Sequence, residues 1–281
     1  MDRRRCVPVE LVASAALVGW NAAVNRVIPA PAYVPANLAA AGLSLATARQ
    51  RQVPVADMGL SRDRIAGGLR VGLAASAPVV GVVVLGASLP ATRRWFLDER
   101  ATTGGAGHVL YHTLVRIPLG TAVAEEAIFR GSLLGLLLQR HSRLRATAVS
   151  SVLFGCWHVL PTLDTLALNP VGAAVGDGLV RTGGALLASV LVTTIAGVGF
   201  SWLRFRSDSV VAPMVVHAAL NSSALVAARL VAPRVRPRIS PRRTMPMTHC
   251  AGASVLDADA AVSALPVPDG GAGGRRGQTP E

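Results

Sequence analysis

Two adjacent carboxylates, Glu125 and Glu126, sit inside the apolar run Thr121-Ala-Val-Ala-Glu-Glu-Ala-Ile-Phe-Arg-Gly131. An ionised group at the centre of a bilayer costs about 2.5–3.5 kcal/mol on insertion scales, so such residues are rare and need a reason. Glu126 and Arg130 are four apart, share a helix face and can pair. Glu125 is turned by about 100° from Glu126 on a helix, which leaves it free to face something else. A structural pair needs one carboxylate; the second one calls for chemistry.

Two further segments supply partners. Phe154-Gly-Cys-Trp-His158 places an imidazole near the end of an apolar stretch, and His217-Ala-Ala-Leu-Asn221 places an imidazole and an amide on one helix face. Each alone reads as a polar residue bridging helices. Together they put two carboxylates, two imidazoles and one amide on three apolar segments. That set fits hydrolysis of a peptide bond. Glu125, in a low-dielectric cavity and assisted by His158, can take a proton from water. His217 and Asn221 can donate to the oxyanion that develops. Glu125, His158 and His217 are also a possible oxygen and nitrogen ligand set for Zn²⁺ with one position open. The HExxH signature of the commonest zinc proteases does not occur. The cofactor stays open on the residues alone, with metal-independent hydrolysis favoured.

The elements that carry these residues follow from composition. The 281 residues are 51% hydrophobic and 15% charged, with a net charge of +13. Soluble domains run at roughly 25% charged. All the basic residues are Arg, a pattern read as the codon bias of a GC-rich bacterial genome rather than as selection for phosphate contacts. With 4% aromatics and none interleaved with the Arg runs, base stacking has little to work with, so no nucleic-acid partner is expected. The three cysteines, Cys6, Cys156 and Cys250, are far apart and form no disulfide or zinc framework.

Apolar segments recur with Arg-rich breaks between them: about 9–28, 32–48, 65–89, 108–138, 146–160, 183–203 and 209–231. Each approaches the ~20 residues that a membrane helix needs. The expected fold is all-α, a polytopic membrane protein with about seven transmembrane helices, six to eight on the boundaries available. Residues 1–106 form N-terminal transmembrane helices without motif, 107–231 the catalytic core, and 232–281 an Arg-, Pro- and Gly-rich disordered tail. Arg3, Arg4 and Arg5, then Arg49 to Arg64, Arg140 to Arg145, and Arg204 with Arg206 mark alternate breaks, which predicts a cytoplasmic N-terminus in a bacterial plasma membrane. The partners expected are the lipid bilayer and a peptide or membrane-protein substrate.

The ordered set Glu-Glu-x-x-x-Arg (Glu125, Glu126, Arg130), Phe-x-x-x-His (Phe154, His158) and His-x-x-x-Asn (His217, Asn221) resembles the CPBP family, the CAAX protease and bacteriocin-processing intramembrane proteases also called Abi. The resemblance covers about 107–228. It implies the same roles: Glu125 and His158 activating water, His217 and Asn221 holding the oxyanion, and Glu126, Arg130 and Phe154 shaping the site. It implies an endopeptidase acting on a lipidated or membrane-associated chain, by CAAX-type or leader and bacteriocin-related processing. The family is often labelled metalloprotease, while a glutamate mechanism is also argued for it. Two other classes compete: a proton-coupled transporter using the paired carboxylates, against which no internal repeat is seen, and a non-catalytic membrane immunity or scaffold protein.

Overall fold

The computed structural model describes residues 9–96, 105–168 and 179–235. Every regular element among them is helical. α1 is Val9–Arg26, α2 Tyr33–Gln50 and α3 Ile65–Ser88. α4 is a continuous helical stretch over 106–138, in which α-helical turns at Ala106–Tyr111, Ala124–Glu126 and Leu134–Leu138 alternate with wider π-helical turns at His112–Val123 and Ala127–Leu133. α5 is Arg143–Trp157, α6 Val159–Leu168, α7 Leu179–Ser207 and α8 Val211–Val235.

Four helical stretches are long and apolar enough to cross a membrane: Arg62–Ser88, Arg143–Leu166, Thr182–Ser207 and Val211–Ala232. The chain is an all-α polytopic membrane protein. α4 has the length to span, but Arg116, Glu125, Glu126 and Arg130 interrupt its apolar run. α1 and α2 have 18 residues each and are less apolar than α3. The span expected over 146–160 is longer than its apolar run: helix resumes at Val159 after a turn at His158 and continues to Leu168. The chain divides into Met1–Pro237 and Arg238–Glu281. The second unit, with most of the tail expected from 232, lies outside the described residues; α8 itself runs on to Val235.

Outward faces carry exposed Leu, Val and Ile, such as Leu73, Val82, Leu191, Val192 and Ile195, as a lipid-facing surface requires. Helices then associate through small residues that let backbones approach. A Cβ on Gly68 or Gly72 of α3 would fall within 2.5–3.0 Å of Ser209, Val215 and Ala212 at the start of α8, and one on Gly155 of α5 would overlap Thr194 and the Val190 carbonyl of α7. Ser142 caps α5 by accepting from the Arg145 amide at 3.4 Å. The buried core joins α4, α5, α7 and α8 through Phe129, Leu134, Phe154, Phe200, Ala212 and Val216.

The Arg-rich breaks meet at one end of the bundle. Arg204 donates to the carbonyls of Ala56 and Asp57 at 2.9 and 2.8 Å, the Val210 amide to the Gly59 carbonyl at 2.9 Å, and Gln139 to the Arg51 carbonyl at 3.4 Å. Gly59 has φ +69°, and its Cα lies against the Arg204 guanidinium where a Cβ would overlap it. Only glycine satisfies both conditions cheaply.

Candidate active site

Glu125 and Glu126 occupy an α-helical turn between the two π stretches of α4, at 7% and 0% exposure. Glu126 bonds to two side chains through one oxygen, and its Oε2 is buried without a hydrogen-bond partner. Its Oε1 accepts from Arg130 NH1 at 3.1 Å and from His217 Nδ1 at 2.9 Å. Arg130 is fully buried, with its guanidinium carbon 4.1 Å from the Phe154 ring centroid and 5.2 Å from that of Phe200. The faces of aromatic rings carry negative potential, so this box offsets part of the cost of burying the cation. Gly197 of α7 makes room for it: a Cβ there would sit 3.0 Å from Arg130 NH2 and 3.1 Å from Ser151.

Glu125 is held differently. Trp157 of α5 donates its indole N–H to Oε1 at 3.1 Å. Oε2 is buried without a hydrogen-bond partner and faces His217 Nε2 at 4.0 Å. His217 therefore sits between the carboxylates, with Nδ1 on Glu126 and Nε2 towards Glu125. An ionised carboxylate only accepts, so the Glu126 bond places a proton on His217 Nδ1. Phe200 stacks on His217 at 5.1 Å with the planes 19° apart, and Phe154 meets it edge-on at 5.9 Å. Asn221 is half-buried one helical turn along α8 and takes no part in this network.

His158 closes α5 as its C-cap, with φ −84° and ψ 0°. Its Nδ1 lies 2.7 Å from the Phe154 carbonyl oxygen, which fixes the proton on Nδ1 and leaves the Nε2 lone pair free. The Phe154 ring packs edge-on against His158 at 4.7 Å as well as against His217. One aromatic ring thus separates and orients both imidazoles.

All seven residues named from sequence fall in this one region. Glu125, Glu126, Arg130, Phe154 and His217 are joined by direct contacts, His158 joins through Phe154, and Asn221 flanks His217. Three contributors were not assigned roles from sequence. Trp157, Phe200 and Gly197 act through ring placement and a missing Cβ, which motif spacing does not encode. Trp157 stands inside the Phe154–His158 spacing and is visible there without a reason attached. The zinc alternative fits poorly. Among the described residues no three His, Cys, Asp or Glu side chains come close enough to hold a metal ion, so Glu125, His158 and His217 do not form a ligand set.

Residues 108–223 match the family described as Type II CAAX prenyl endopeptidase Rce1-like. That segment begins on α4 and ends on α8, and it holds every residue of the site. Over these residues the chain is similar to the CAAX protease family. The matched segment includes the carboxylate pair, both imidazoles and Asn221, while α1, α2 and α3 lie ahead of it. No curated protein and no solved structure matches the chain.

Proposed function

We propose that the protein is an intramembrane endopeptidase that hydrolyses a peptide bond in a membrane-associated or lipidated chain, with Glu125 as the general base. The observation that carries this reading is the state of Glu125. One oxygen is anchored by Trp157 at 3.1 Å, and the other is buried, unpartnered and 4.0 Å from an imidazole nitrogen. A buried acceptor left without a donor costs about 1–3 kcal/mol, and more when charged, so it persists where something else engages it. The gap between Oε2 and Nε2 is short enough for one water to bond to both at ordinary hydrogen-bond lengths.

In the proposed reaction Glu125 takes a proton from that water while the His158 Nε2 lone pair helps to orient it. The water oxygen adds to the peptide carbonyl. The oxyanion is held by a His217 Nε2–H donor and by the Asn221 amide. The C–N bond then breaks. Glu125 returns its proton to the leaving amine, giving a new carboxylate and a free amine. Glu126 and Arg130 keep His217 in place throughout. Aligned reactants and preset donors supply the rate.

The substrate reading is CAAX-type or leader and bacteriocin-related processing in a bacterial plasma membrane, with the N-terminus cytoplasmic. It rests on the family resemblance and on the Arg pattern. The test uses the full chain in proteoliposomes with a quenched fluorescent peptide that carries an S-lipidated cysteine and three following residues. Cleavage is expected with the native chain, and a loss of at least about a thousandfold in Glu125→Gln at normal membrane insertion. Undiminished cleavage by E125Q, H158A and H217A would sink this site. Activity is expected to survive in protein shown by elemental analysis to be free of zinc; loss on depletion and recovery on zinc addition would establish the metal route instead.

A further inference from the structure

The end of the bundle where the Arg-rich connections converge is not closed. A cavity of about 590 Å³ opens there, between the segment 56–64, the end of α4, the start of α5 and the end of α7. That volume is in the range of small-molecule sites. Its wall includes Arg143 and Arg204, which lie at the ends of two membrane-crossing stretches, Arg143–Leu166 and Thr182–Ser207. Leu144 next to Arg143 and Trp202 two residues before Arg204 are both exposed. An outward tryptophan at a span end suits the headgroup layer, where aromatic belts sit. The cavity therefore opens at the boundary between membrane and water.

The basic side of this wall is short of partners. Arg204 is 4% exposed, both of its hydrogen bonds leave from NH2, and its Nε is buried without a partner. Arg143 is exposed and lies over the Phe205 ring at 5.3 Å, and Arg204 lies against the same ring at 6.0 Å. Among the described residues no carboxylate is within ion-pair distance of either. Of the acidic residues on the wall, Asp63 and Asp208 lie 3.2 and 3.9 Å from Arg64, and Asp57 is exposed. The start of α5 adds to the imbalance, because its first turn carries Arg143 and Arg145 and no acidic residue. A helix N-terminus is the positive end of the dipole, so cations there are unfavourable and an anion is favoured.

We propose that this cavity binds the phosphate of a membrane phospholipid headgroup from the adjoining leaflet, with Arg143 and Arg204 as its ligands. Guanidinium pairs with phosphate bidentately, which makes the contact directional as well as strong. Ser61 on the same wall adds a hydroxyl. Position selects the source of the phosphate. Basic pockets between membrane helices take lipid headgroups, and at this depth phospholipids surround the opening at high local concentration. Inorganic phosphate shares the chemistry but not the location. A bound headgroup ties the segment 56–64, α5 and α7 together at this end. The inference is independent of the endopeptidase reading, since no residue of the candidate active site lines the cavity.

The test uses the full chain in detergent, with native mass spectrometry to count bound lipid. The probes are dioleoyl-phosphatidylglycerol and dioleoylglycerol, which has the same tails and no phosphate. At equal concentration the native chain is expected to retain one phosphatidylglycerol about tenfold more often than one dioleoylglycerol, as a hydrogen-bonded charge pair implies. Arg143→Gln should remove most of that excess. Arg145→Gln removes the same charge from the same turn but outside the cavity wall, and should keep it. The unfolding midpoint gives a second readout: phosphatidylglycerol raises it in the native chain and in R145Q, and not in R143Q. Equal retention of the two lipids, no loss in R143Q, or equal loss in R143Q and R145Q overturns the proposal. Inorganic phosphate that displaces the lipid and raises the midpoint as far overturns the membrane source and marks a site for soluble phosphate.

Discussion

At the scale of single residues, the two carboxylates have different neighbours, and the proposed mechanism gives them different jobs. Glu126 is committed to Arg130 and His217, and removing one partner of a buried pair leaves an uncompensated charge, at about 3–5 kcal/mol. Glu126→Ala is therefore expected to lower the unfolding midpoint in detergent markedly. Glu125→Gln keeps the shape and the acceptor for Trp157, so it should abolish turnover at nearly native stability. Midpoints measured side by side for E125Q and E126A check the division of labour; equal destabilisation would contradict it. Trp157→Phe removes the indole donor to Glu125 together with some of the ring packing against Phe129. Hydrogen bonds to charged groups contribute about 1.5–3 kcal/mol, so a loss of roughly 10- to 100-fold in kcat is expected in the peptide assay.

At the scale of elements, the site depends on helices meeting closely enough for short side chains to touch across them. α5 and α7 cross where Gly155 faces Thr194 and Val190, and Gly197 of α7 leaves room for Arg130. Gly155→Val adds branched bulk where even one carbon overlaps and should separate the helices that carry His158 and Phe200. The expected outcome is a lower unfolding midpoint together with loss of activity. Gly19 and Gly199, which face open space, should accept Ala with little change in either measurement. These closures were hidden in the sequence. Gly155 sits inside the Phe154–His158 spacing and reads there as filler, since nothing local says which helix it faces. Spacing made the i, i+4 pairs Glu126–Arg130 and His217–Asn221 legible because one helix fixes the relation between them. It said nothing of Trp157 donating to Glu125 across 32 residues, or of His217 reaching Glu126 across 91.

At the scale of the whole molecule, the Arg-rich connections over 49–64, 139–145 and 204–208 converge through main-chain and side-chain bonds. Their contacts put them on one side of the membrane, and the proposed orientation, with a cytoplasmic N-terminus, makes that side the cytoplasmic one. In a background lacking Cys6, Cys156 and Cys250, Ser61→Cys and Ser142→Cys should react with a membrane-impermeant maleimide only after the cytoplasmic face is exposed. Thr92→Cys, between α3 and α4, should react from the opposite face. Labelling of S61C and S142C from different sides would overturn this topology.

The sequence alone determined what depends on composition and on spacing within one helix. Low charge with long apolar runs dictates membrane helices, because lipid cannot satisfy backbone or side-chain polarity. Three motifs pick out the residues proposed to carry the chemistry. Only the tertiary structure decided how those residues divide the work. Glu125 and Glu126 are neighbours in the chain and nearly equivalent in solvation from sequence. In the proposed division Glu126 is the anchor and Glu125 the base, because Arg130 and His217 both bond to Glu126 Oε1, while Trp157 holds one oxygen of Glu125 and the other faces His217 Nε2. The α2–α4 boundary that places Tyr33 under Arg116 was equally invisible, because a contact across 83 residues depends on how helices pack and not on any local period.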